Sequence, residues 1–233
     1  MTRCLSVVLI LALAACSPRE STSTTTVSTE TVTSVYVPVP MPASSSPAGA
    51  MGTPSFDCAK ALQDDPDGIE RVICGDTQLV DLDNELARLY FLADASAGAS
   101  RETLQRLQKG WLDQRRSTCT RTAEIKQCLV NAYAERIHDL RSAYAATRDD
   151  TGTSHGPDSW RCPGSDLPLS TTFINGYPSI AYIRWGGQSV ILPQVISGSG
   201  GRYAGDSYEL WTKGSELMWT VPQKVMVTCA RVG

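Results

Sequence analysis

The chain has 233 residues, 42% of them hydrophobic and 19% charged, with a formal net charge of −3 at pH 7. That length supports more than one small core, and the absence of a basic surplus excludes a nucleic-acid partner. Eight cysteines against only two histidines, His138 and His155, point to an exported, disulfide-bearing chain and away from zinc or histidine-based catalysis.

The N-terminus begins with one basic residue, Arg3, and an apolar run over residues 7–15, and Leu13-Ala14-Ala15 precedes Cys16. The run is too short to span a bilayer, which takes roughly 20 apolar residues, so residues 1–15 read as a signal peptide. The small residues before Cys16 form a bacterial lipobox, which predicts cleavage before Cys16 and acylation of that cysteine as a membrane anchor. An ordinary secretory signal with an incidental cysteine is the competing reading. Ser17 stands where Asp would signal retention, which favours delivery to the outer membrane in a cell with two membranes. The expected location is therefore the cell envelope.

Residues 16–55 are rich in Ser, Thr, Pro and Val and nearly free of charge, as in Ser21-Thr-Ser-Thr-Thr-Thr26 and Val37-Pro-Val-Pro-Met-Pro42. Such a composition cannot bury enough apolar surface to fold and predicts a tether. As a flexible coil it reaches roughly 35 Å.

Residues 56–150 read as helices. Leucines recur at spacings of three and four at Leu79, Leu82, Leu86 and Leu89. The same spacing relates Leu104, Leu107 and Trp111, and again Ile125, Leu129, Tyr133, Ile137, Leu140 and Tyr144. These are three amphipathic stripes, broken at Asp65-Pro66-Asp67-Gly68 and at Gly98. The segment carries 13 Lys and Arg against 17 Asp and Glu, with nine carboxylates between Asp57 and Glu85. A solvated helix face accounts for such a run, and steering toward a basic partner is the functional alternative.

Beyond Cys4 and Cys16, six cysteines remain: Cys58, Cys74, Cys119, Cys128, Cys162 and Cys229. An even count in an exported chain predicts three disulfides, and no C-x-x-C pair suggests a metal or redox site. The helical segment is similar to the LprI-type domain of exported bacterial proteins. The likeness is carried by Phe56-Asp57-Cys58, Ile73-Cys74, Leu82-Asp83-Asn84-Glu85-Leu86, Gln105, Trp111-Leu112, Arg115-Arg116, Cys119, Cys128, Tyr133 and Arg136-Ile137. That resemblance implies a link to lysozyme inhibition but assigns no residue to a target. Local bridges, Cys58 with Cys74 and Cys119 with Cys128, are expected over crossed ones, and Trp111 is expected to anchor the core.

Over residues 151–233 the helical period gives way to short strand patterns. Segments 171–176, 179–185, 207–212, 216–221 and 225–231 are β-rich, and they are separated by turn signals at Asn175-Gly176, Gly186-Gly187, Lys213-Gly214 and Pro222. Short strands with tight turns predict a small antiparallel sandwich or barrel. The expected fold is therefore α+β in two domains, a disulfide-stapled helical domain followed by a β-domain.

The most specific pattern is Ser197-Gly-Ser-Gly-Gly-Arg-Tyr203, followed by Tyr208-Glu-Leu-Trp-Thr-Lys-Gly214. It resembles the signature of the MliC/PliC family of periplasmic and membrane-bound inhibitors of c-type lysozyme. The resemblance implies an eight-stranded antiparallel barrel and a bridge joining its first and last strands, here Cys162 with Cys229. It also implies that Ser199 and Lys213 reach into the catalytic cleft of c-type lysozyme. Gly200 and its neighbouring glycines let the loop protrude, Tyr203 and Tyr208 are expected to shape or flank it, and Arg202 lies nearby. Gly198 stands between the two serines, where small side chains such as Ala also fit the pattern, and glycine there loosens the loop and costs affinity through ordering entropy.

Together these features predict a lipid-anchored inhibitor of c-type lysozyme that protects peptidoglycan, with no cofactor and no metal. An envelope enzyme finds no support, because the chain lacks a G-x-S-x-G elbow, an H-E-x-x-H motif and a P-loop. A lipoprotein with a structural or adhesive role, or an inhibitor of another lysozyme type, is the alternative.

Overall fold

The computed structural model describes residues 52–232. The signal peptide, the acylation site Cys16 and nearly all of the tether lie outside the described residues. Five helices come first: α1 (Cys58–Asp64), α2 (Ile69–Cys74), α3 (Thr77–Ser96), α4 (Arg101–Cys119) and α5 (Ile125–Ala143). Asp57 caps α1 by accepting from the Ala59 and Lys60 amides, and Asp76 caps α3 by accepting from Leu79. The Pro66 and Gly68 break separates α1 from α2, and Gly98 lies at the break between α3 and α4 with a φ of 52°.

The leucine stripe of α3 is buried throughout, as is the central stripe of α5. Helix α4 departs from expectation. It buries only Leu104, Arg115 and Cys119, and Leu107 is exposed, because this helix meets its neighbours along one narrow side. Trp111 is half-buried and packs edge-on against Tyr133, with ring centroids 5.6 Å apart. Cys58 is bonded to Cys74 and Cys119 to Cys128.

Eight antiparallel strands follow and close into a barrel in sequential order: β1 (Ser154–Arg161), β2 (Leu169–Ile174), β3 (Ile180–Trp185), β4 (Gln188–Val195), β5 (Gly201–Gly205), β6 (Tyr208–Lys213), β7 (Glu216–Thr220) and β8 (Val227–Arg231). The sequence pattern misses three of these. β1 carries Gly156-Pro157 and a register shift between His155 and Asp158, β4 contains Pro193, and β5 emerges from the Ser-Gly run. Asn175-Gly176 does introduce a hairpin, but through a five-residue connection, since Ile174 pairs with Ile180. Two-residue turns occur at Gly186-Gly187, Asp206-Ser207 and Gly214-Ser215. At the first two, both central residues have positive φ, as hairpin turns of this length require. Cys162 is bonded to Cys229 across the seam where β1 meets β8.

Strand β3 is buried on both faces. Ala181 and Ile183 point into the barrel, while Ile180 and Tyr182 join Ile174 of β2 in the core beneath the helices. Helices and barrel thus pack within one compact unit. Their boundary is also polar. Glu85 accepts from Arg88 and from the Ser154 amide and hydroxyl, and Arg88 reaches on to Asp149. Burial opposes the charge on Glu85, but the bonds from Arg88 and Ser154 outweigh it and hold the carboxyl below its ordinary pKa. Buried Arg141 donates to the carbonyl oxygen of Gly156 at 2.7 Å, and His138 Nδ1 lies 2.8 Å from the Thr172 hydroxyl.

Candidate functional site

The Ser199 loop connects β4 to β5, and Lys213 ends β6 at the tight turn into β7. In a closed up-and-down barrel these two connections emerge at the same end. The register brings them side by side, with Gly201 opposite Thr212 and Lys213 opposite Glu216.

Gly200 sits at the junction with a φ of 68°, in the left-handed region. A Cβ on it would lie 1.9 Å from the Thr212 carbonyl oxygen and 3.5 Å from the Lys213 Cα, so the loop backbone lies directly against the end of β6. Only glycine satisfies both constraints. The Thr212 hydroxyl closes the junction, accepting from the Gly201 amide at 3.2 Å.

Two further contacts fix the loop's shape. The Ser197 hydroxyl donates to the Ser199 carbonyl oxygen at 2.7 Å and accepts from the Ser199 amide at 3.3 Å, a local serine turn. The Trp211 indole N–H donates to the same Ser199 carbonyl at 2.8 Å. The first serine of the motif is therefore spent within the loop, while Ser199 and Lys213 both remain exposed. Among the described residues no ion pair engages the Lys213 ammonium.

The residues expected to flank this edge take different places. Tyr203, expected at the loop, is 5% exposed and belongs to the barrel core, with its ring 5.3 Å from Phe173. Its inward position follows from strand alternation, since Tyr203 pairs with buried Leu210. Burial raises its pKa, and its ring lies under Gly201, where a Cβ would meet it at 3.1 Å. Tyr203 therefore supports the loop from below and offers no surface of its own.

Tyr208 lies at the other end of β6, in an aromatic cluster with Trp185 and Trp219, and does not flank the loop. Arg202 forms an ion pair with Glu209 at 2.7 Å and stands over the Trp211 ring at 5.9 Å, and the carboxylate raises its pKa. The roles of Trp211 and Thr212 were not legible in sequence, because each depends on which strand lies opposite the loop. Among the described residues no group of three or more His, Cys, Asp or Glu gathers as a metal site.

Comparison with known proteins follows this division. Residues 160–228 match the family model described as membrane-bound lysozyme-inhibitor of c-type lysozyme, and residues 58–140 match the model described as lysozyme inhibitor LprI. Both structured segments thus match models of lysozyme-inhibitor families. The chain is 30% identical over 164 residues to Lipoprotein LprI of Mycobacterium bovis and of Mycobacterium tuberculosis, covering 70% of this chain and 77% of each relative. It belongs to the LprI lipoprotein family.

Proposed function

We propose that this protein is a lipid-anchored inhibitor of c-type lysozyme that inserts Ser199 and Lys213 into the enzyme's catalytic cleft and so protects peptidoglycan. The observation that carries this reading is the placement of an unpaired ammonium and a hydroxyl side by side on one exposed edge, over backbone that Gly200, Thr212 and Trp211 hold in place. A glycosidase of this kind works with two carboxyl groups, one an acid and one carrying negative charge. Lys213 supplies a compact cation with three donors on a long stem, and Ser199 a hydroxyl able to donate to a carboxylate. Charge-assisted bonds of this type exceed neutral ones. Presenting the pair on a preformed loop reduces the ordering cost of binding. Anchoring through acylated Cys16 is part of the same proposal, supported by the lipobox and by the lipoprotein relatives.

The test is inhibition of c-type lysozyme acting on bacterial cell walls. Lys213→Ala should weaken inhibition about 10- to 100-fold, the equivalent of losing a charged hydrogen bond. Its melting temperature should not change, because an exposed turn lysine contributes little to the fold. Full inhibition by Lys213→Ala, or no inhibition by the unmodified chain, would refute the reading.

A further inference from the structure

We infer that the lysozyme-facing rim extends beyond Ser199 and Lys213 to Tyr177 and Ile196, and that helix α3 of the helical half positions the Tyr177 loop. This inference rests on the reading just proposed. In the sequentially ordered barrel, the β2–β3, β4–β5 and β6–β7 connections leave the same end in neighbouring positions. The Ser199 loop therefore stands between the Tyr177 loop on one side and the Lys213 turn on the other.

Tyr177 is 89% exposed and Ile196 is 98% exposed, the two most exposed large apolar side chains among the described residues. A single exposed apolar residue needs no explanation. These two occupy adjacent loops beside an exposed cation and hydroxyl, and the backbone beneath Tyr177 is held from several sides. The Gln194 amide donates to the Ser179 carbonyl at 2.8 Å, which ties the Tyr177 loop to the strand that leads into Ile196. The Asn175 amide donates to the Thr153 carbonyl at 2.8 Å, and the Ser179 hydroxyl to the Gly176 carbonyl at 3.1 Å.

The fourth tie comes from the helical half. Gln78, in the first turn of α3 and only 7% exposed, donates its side-chain amide to the Pro178 carbonyl at 3.3 Å. On either side of the loop, Ile174 and Ile180 are buried in the core beneath the helices. A tyrosine and an aliphatic residue on preordered loops, flanking a charged centre, have the composition of an interface anchor with few conformational costs. The partner they fit is a concave site with carboxylates at its floor and apolar walls, as ligand clefts generally have. Gln78 is a positioning residue, acting on the partner only through Tyr177.

The experiment uses the full chain and measures the inhibition constant against c-type lysozyme, the melting temperature and the sedimentation of the free protein. The variants are Tyr177→Ser, Ile196→Ser, Gln78→Ala, Tyr177→Ser with Gln78→Ala, and Lys213→Ala as reference. The inference expects Tyr177→Ser and Ile196→Ser each to weaken inhibition about tenfold with melting unchanged. It expects Gln78→Ala to weaken inhibition severalfold in the native background and to have no further effect once Tyr177 is replaced, an interaction that a purely structural role would not show. If Lys213→Ala loses inhibition while Tyr177→Ser and Ile196→Ser stay within twofold of native, the extended rim is wrong and the proposed function stands. If the native chain does not inhibit, the proposed function fails and takes the inference with it. Dimerisation of the free chain that Tyr177→Ser abolishes, with inhibition intact, would assign the rim to a second copy and overturn the inference.

Discussion

Replacing Gly200 by Ala tests whether the Ser199 loop is preformed or merely flexible. The added Cβ would sit 1.9 Å from the Thr212 carbonyl oxygen, at a φ of 68°. The left-handed conformation costs an L-residue about 1–2 kcal/mol, and forcing an extra carbon into occupied space typically adds about 1–3 kcal/mol. The sum, about 2–5 kcal/mol, lowers the melting temperature by on the order of 10 °C for a chain of this size. The chain can escape part of that cost only by moving the loop off the end of β6 by about 1 Å, which breaks the Trp211 and Thr212 contacts and separates Ser199 from Lys213. Either way inhibition should fall at least tenfold. Gly198→Ala is the control. Nothing lies within 4 Å of its Cβ position and its φ is ordinary, so it should be neutral or stabilise by about 0.4–1 kcal/mol by restricting the unfolded chain. It should also tighten binding. Calorimetric melting and lysozyme inhibition read both effects, and a Gly200→Ala variant that melts and inhibits like Gly198→Ala would refute the account of the loop.

The Cys162–Cys229 bridge closes a separation of 67 residues and the Cys119–Cys128 bridge a separation of 9. The chain-entropy relation assigns them about 4 and about 2.5 kcal/mol, so alanine pairs should lower the melting temperature more at the barrel seam, and the reverse order would contradict that relation here. His138 is buried against Tyr182 and Thr172, and burial first, then the positive charge of Arg184, pushes its pKa to about 4, although Asp139 pulls the other way. An unfolded histidine titrates near 6.5, so between these values the unfolded chain binds more protons; the stabilisation is complete above about pH 6.5 and is lost as pH falls toward 4, up to about 3 kcal/mol. Urea denaturation at pH 7 and pH 5 should show this loss in the native chain and much less of it in His138→Gln, and equal losses in both would place the dependence elsewhere.

Legibility followed the range of the interactions. The stripes of α3 and α5 were readable because helix periodicity depends on residues three and four apart. Leu107 matched the same period yet faces solvent, since periodicity reports a face and not whether a partner covers it. The acidic run from Asp57 to Glu85 reads as a solvated surface or a steering patch, but most of its carboxylates have specific partners within the fold. Asp57 and Asp76 cap helices, Glu70 pairs with Arg116, Asp64 with Lys60, and Asp83 accepts from the Tyr133 hydroxyl at 2.8 Å. Arg116 and Tyr133 lie 46 and 50 residues from the carboxylates they meet, beyond any local pattern. In the barrel, Ser199 and Lys213 stood out because their spacing is a linear motif. The inward turn of Tyr203 and the Trp211 contact depend on strand register, which the glycine-rich start of β5 obscured.

The boundary between helices and barrel combines two kinds of interaction with different consequences. Ile174, Ile180 and Tyr182 project outward from β2 and β3 and would be exposed on a barrel standing alone. Burying each such side chain contributes about 1.5–3 kcal/mol, a sum comparable to the net stability of a whole domain. Apolar contact of this kind is permissive about angle. The buried polar groups are not: Glu85 meets Arg88, Thr153 and Ser154, and Arg141 meets Gly156, Ser154 and Asp149, so a shifted helix would leave charges without partners. Apolar burial therefore holds the two parts together while the polar set fixes their angle. Thr153, which donates its amide to Glu85, is also the residue whose carbonyl holds Asn175 at the base of the Tyr177 loop. One carboxylate on α3 thus holds the start of β1 and, one hydrogen bond further on, the base of the Tyr177 loop.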